Sequence, residues 1–137
     1  MNYTVSLLTT EADCQALINI ANAEKENLQY RRTGLMRQRE SASVSSAEID
    51  AELVAVIAEL DTLGPLIDSL PEGNFKTETI RKYKKSEYKK FLLEQRKGNY
   101  GVLALLEKEF DIACVDKAIG ESDAFITSVR DRMEELN

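Results

Sequence analysis

The sequence contains no histidine and no tryptophan, and only two prolines, six glycines and two cysteines in 137 residues. Without histidine there is no imidazole base, no HExxH zinc site and no Glu-x-x-His ligand set of the di-iron bundles. Cys14 and Cys114 stand alone in the sequence, with no partner at metal-ligand spacing. Lone thiols of this kind read as small apolar core residues in a reduced compartment. No uninterrupted apolar run approaches the ~18 residues that cross a bilayer. Met1 to Leu8 has neither the basic start nor the apolar core of a secretory signal. The expectation is a cytoplasmic protein without a membrane anchor. Few prolines and glycines also mean few turns, which favours long helices. Neither a GxGxxG nor a Walker phosphate loop is present, and nothing calls for a metal or cofactor.

What is present is an ordinary globular balance, 43% apolar and 31% charged, at the length of one domain. Apolar residues recur at helical spacing. Cys14, Ala21, Leu28, Leu35 and Ala42 repeat every seven residues, with Leu17 and Ile18 beside them. Thr10 and Asp13 form a helix-start signal. This predicts a first helix over 10–41. The adjacent seam is occupied by Lys25, Arg32 and Arg39, whose stems can lie along apolar surface while the heads reach water. The alternative is that the stretch from Tyr30 to Arg39 docks an acidic partner.

The serine-rich segment 41–46 reads as a turn, with Ser45 and Glu48 as a capping box and Val44 stapled onto Ile49. A second helix over 46–70 follows, its apolar seam running from Ile49 through Leu53, Val56, Leu60, Leu63 and Ile67 to Leu70 in steps of four and three. Pro65 falls inside that seam without changing its phase, which predicts a kink and not a break. Leu70 to Asn74 is a turn. A third helix over 76–97 is expected to bury Ile80, Tyr88, Phe91 and Leu92 and to end at Gly98. A fourth helix over 101–136 carries a second strict seam, Ile112, Val115, Ile119, Ile126, Val129, Met133 and Leu136, continuing in phase past Gly120 and Ser122. These elements predict an all-α, up-down antiparallel four-helix bundle in one domain, with the first and last helices the longer pair. Their projecting ends leave the fourth-helix seam as a docking surface for a second copy of the chain, a homodimer, or for another helical protein.

Charge is strongly segregated. Residues 1–40 balance, 41–75 carry seven acids and no base, 76–100 carry nine bases and three acids, and 101–137 are net −5. The total of −6 therefore conceals a basic helix beside an acidic one. Within it Lys82, Lys85, Lys89 and Arg96 share one flank, and Tyr83, Tyr88 and Phe91 are interleaved. Cations with aromatics between them suit a polyanion such as nucleic acid. The competing expectation is that these bases pair with the acids of the second helix and set its register. Gly98-Asn99-Tyr100-Gly101 matches the GxxG of KH domains, but the accompanying sheet has no candidate strands. The carboxylates crowd helix surfaces and no catalytic constellation emerges, so the favoured function is a non-enzymatic helical interaction module, with polyanion binding through 76–97 as the alternative.

Overall fold

The computed structural model describes residues 1–137 and is all-α. A 3-10 turn, Val5–Leu7, precedes three long helices: α1 (Glu11–Ser69), α2 (Asn74–Tyr100) and α3 (Val102–Glu135). The helices number three where four were expected, because the turn at 41–46 does not form. α1 runs through it without interruption, so Ser45 is no cap and Val44 no staple. The residues from Ser41 to Ala47 include neither proline nor glycine. Serine costs only about 0.5 kcal/mol against alanine in a helix, whereas a break would orphan four carbonyls and four amides and require a second nucleation. α1 also continues through Pro65 to Ser69, as the unbroken seam predicts.

The chain divides into two compact units, Met1–Gln38 with Lys108–Asn137, and Arg39–Glu107. In the first, α1 pairs with α3. Cys14, Ile18 and Ala21 close over Ile126 and Val129, with Leu17, Phe125, Met133 and Leu136 packed around them. Leu35 meets Ile112 and Val115, flanked by Leu28 and Ile119. Lys25 bonds Asp123 and Arg32 bonds Asp116, each at 2.6 Å. A step of seven forward along α1 is a step of seven back along α3, so the pair is antiparallel with a heptad register. Lys25 and Arg32 thus find their acids within the chain, and Arg39 is not a free charge either. Thr10 Oγ1 accepts the Asp13 amide at 3.2 Å, which makes it the helix cap that the sequence indicated. α3 passes Gly120 and Ser122 unbroken.

In the second unit the distal part of α1 pairs with α2. The turn after Ser69 depends on Gly73, whose φ of 154° no residue with a Cβ adopts comfortably. Asp50 bonds Lys97 at 3.2 Å, and a Cβ on Gly64 would lie 3.6 Å from the Tyr83 ring. Fourteen residues forward on α1 correspond to fourteen back on α2, so this hairpin is antiparallel too. α2 does not stop at Gly98 but at Gly101. A side chain on Gly101 would collide with the Lys97 carbonyl oxygen, so glycine is required there and not three residues earlier.

The buried face of α2 is not the one its apolar residues suggest. Thr79, Ser86 and Leu93, spaced by seven, point inward. Leu93 alone joins the core, against Ile49 and Leu53. Tyr88, Phe91 and Leu92 are left 62%, 53% and 40% exposed.

Candidate functional site

The seam expected to dock a partner is covered by the chain itself. Ile112, Val115, Ile126 and Val129 are buried against α1, and Ile119, Met133 and Leu136 pack at the edges of the same clusters. α1 reaches far enough to act as the partner helix, so no apolar seam on α3 is open between Ile112 and Leu136. Cys14 is buried in that core, as expected of a small apolar residue, but Cys114 is exposed; both thiols are free.

The N-terminal segment is fastened to this unit by polar contacts. Arg132 donates from Nε and Nη2 to the Leu8 carbonyl at 3.1 and 2.9 Å, and from Nη2 to the Ser6 carbonyl at 3.3 Å. Its remaining nitrogen reaches Glu135 Oε2 at 3.0 Å. The Tyr3 ring stands edge-on to Phe125, centroids 4.9 Å apart, and its hydroxyl donates to Glu121 Oε1. Accepting that bond as a carboxylate, Glu121 holds the phenol above its ordinary value of 10.0. Tyr3 itself lines an open groove of about 420 Å³, together with Leu17, Ala21, Leu28, Phe125, Glu24 and Glu121 among others. No three histidine, cysteine or carboxylate side chains converge as a metal site.

The basic residues of α2 behave differently from those of α1. Lys97 is tied to Asp50 across the hairpin. Lys76 and Lys90 bond Glu72 and Glu94 one turn away. Lys82, Lys85, Lys89 and Arg96 have no ion pair and no hydrogen bond, and all four are exposed. At 100° per residue they occupy a sector of about 60° on one flank of α2. The acids of α1 therefore do not neutralise this flank, and the register of the hairpin rests on one ion pair and its small core.

Three of the four cations surround a concavity of about 560 Å³, lined by Lys82, Lys85 and Lys89 with Ser86, Tyr88, Leu92 and, from α1, Glu59. Arg96 lies beyond it on the same flank. Ser86, which charge and apolar patterning gave no reason to single out, is 7% exposed at the floor. Thr62, Thr79, Ser122 and Ser128 each turn their hydroxyl onto the carbonyl one turn back. The Ser86 hydroxyl has no protein partner. The heptad of Thr79, Ser86 and Leu93 was the available signal, hidden because two of its three members are polar. No helix of the protein is long and apolar enough to cross a membrane. Comparison with protein-family models, with curated proteins and with solved structures finds no match for this chain.

Proposed function

We propose that the protein is a non-enzymatic helical interaction module, acting in the cytoplasm as a homodimer through helix-to-helix packing. The observation that supports this is the inversion of α2, with Thr79 and Ser86 inside and Tyr88, Phe91 and Leu92 outside. A helix that buries small polar residues and exposes aromatic ones gives up stability that burial would supply, about 1.5–3 kcal/mol for each large side chain. Exposed apolar surface of this kind marks a contact face, and aromatic residues are enriched at such faces. On the α1 side of the same unit Val54 and Ile57, three residues apart, are also exposed, at 70% and 41%. The pairing surface thus moves from the α3 seam, which the chain fills, to the outward side of the α1–α2 hairpin.

Light scattering across protein concentration tests the proposal. The expected result is a dimer at high micromolar concentration that Phe91→Asp converts to a monomer with its helix content intact. A wild-type monomer under those conditions would refute self-association and leave a different helical protein as the occupant of the face. A dimer unaffected by Phe91→Asp would place the contact elsewhere.

A further inference from the structure

We propose that the concavity beside α2 binds the phosphates of single-stranded nucleic acid, through Lys82, Lys85 and Lys89 with the Ser86 hydroxyl as a hydrogen-bond donor. Tyr88 and Leu92 belong both to this site and to the contact face proposed above, so strand binding and self-association compete for them, and the oligonucleotide titration is read apart from the light scattering. Three cations held side by side, with Glu59 the one acid at the concavity and no ion pair formed to it, repel one another, and an anion between them lowers that repulsion. The Lys82–Lys85–Lys89 spacing of three and four residues puts all three ammonium groups over one side of the helix. Ser86 lies between them in sequence and forms the floor, nine-tenths buried, with a hydroxyl that no protein group engages. No buried side-chain polar atom of the protein lacks a partner, so the Ser86 oxygen is the part of the residue left open to the concavity, where it can donate to a phosphate oxygen.

The neighbouring residues favour a single strand. Tyr88 lines the same concavity and is 62% exposed, so its ring is free to stack on a base, which is how single strands are gripped without sequence preference. A rigid duplex spreads phosphates across a wide surface and would bring them against the α1 partner of this hairpin. That stretch carries no base, and Glu59 stands at the concavity itself. A flexible strand can follow the basic flank and avoid the acidic one. Glu59, which also lines the concavity, offers an acceptor to a base N–H, the N3–H of thymine included. An anionic membrane fits less well, because only Tyr88 and Leu92 are placed as apolar anchors beside the lysines.

The test is fluorescence anisotropy of a short labelled oligothymidylate titrated with the intact protein across a salt series. Its comparison arms are a duplex oligonucleotide and phosphatidylcholine vesicles containing a phosphoinositide. Three phosphate contacts on a single strand give a slope of log affinity against log salt of about −2. Lys82→Gln/Lys85→Gln/Lys89→Gln should flatten that slope and weaken binding at low salt by at least about tenfold. Arg31→Gln/Arg37→Gln/Lys117→Gln, an equal change of charge at exposed positions of the other unit, should leave binding within about twofold, so that net charge alone is not what is read. Tyr88→Ala should cost about fivefold or more. Ser86→Ala separates the site from the scaffold. It should melt at the same or a higher temperature, since alanine is the better helix former and no protein hydrogen bond is lost, yet bind the oligonucleotide more weakly. Absence of binding at low salt, equal binding by the triple-glutamine and wild-type proteins, or tighter binding to the duplex or the vesicles would each overturn the proposal.

Discussion

Two helical hairpins built from one shared helix handle their charged residues in opposite ways. In the α1–α3 unit the cations on the seam are matched one heptad at a time, Lys25 with Asp123 and Arg32 with Asp116, and a nearly continuous apolar row is buried beneath them. In the α1–α2 unit one cross-helix ion pair is made, Lys82, Lys85, Lys89 and Arg96 stay unpaired along one flank, and the inward face of α2 offers two small polar residues, Thr79 and Ser86, before Leu93. The first arrangement is what a pair of helices needs to fix its partner and register. The second leaves both charge and aromatic surface unspent, which is the condition for binding something else. The first hairpin is thus the better filled of the two, and the binding proposed above is placed on the second.

The largest effects should come from the cores. Ile126→Ala should destabilise the protein by about 2–5 kcal/mol, measurable by urea denaturation, whereas Ile57→Ala on the exposed side of the other unit should change it by less than about 0.5 kcal/mol. Equal losses would erase the contrast between a filled seam and an open face. Arg132→Ala removes three bonds to the N-terminal carbonyls and should cost about 1–3 kcal/mol, with faster amide exchange over residues 5–8 as its local signature. The Lys25–Asp123 pair is partly exposed, at 29% and 54%. A double-mutant cycle should return no more than about 1 kcal/mol, falling with added salt; a larger coupling would make the pair a source of stability and not a register device. Ser45→Ala carries a sign. Were Ser45 a helix cap the substitution would cost about 1 kcal/mol, but in the interior of α1 it should raise stability by up to about 0.5 kcal/mol, and the direction of the melting shift decides.

The smallest effect concerns Tyr3. Its phenol is raised above 10.0 in the folded protein by the bond to Glu121, so the contact contributes below the ordinary tyrosine range and is lost as pH climbs through the higher folded value. The difference in melting temperature between wild type and Tyr3→Phe should be constant up to about pH 10 and then shrink. A difference unchanged at higher pH would show that the hydroxyl contributes nothing to holding the segment.

Several of these residues were legible from pattern alone. The Thr10 cap, the passage of α1 through Pro65, the continuity of α3 past Gly120 and the absence of strands follow from spacing and local chemistry. The Ser41 to Ser46 turn was misread because serine serves equally as a cap and as a tolerable helix residue. Nothing local distinguishes the two until the chain on both sides is already helical. The α3 seam was correctly recognised as apolar, but its partner was not identifiable, since periodicity states that a face must be covered and never by what.

What the sequence by itself determined is the all-helical class, the phases of the α1 and α3 seams and the separation of charge into acidic and basic blocks. These depend on contacts within a few turns of one helix. Which face of α2 turns inward, which cations find acids and where Ser86 lies were decided only in the tertiary structure. A helix that offers a polar heptad and an exposed aromatic stripe has no local preference strong enough to orient it. Its rotation was settled by the hairpin with α1, where Leu93 had to meet Ile49 and Leu53 and Lys97 had to reach Asp50, and the unpaired lysines are the consequence.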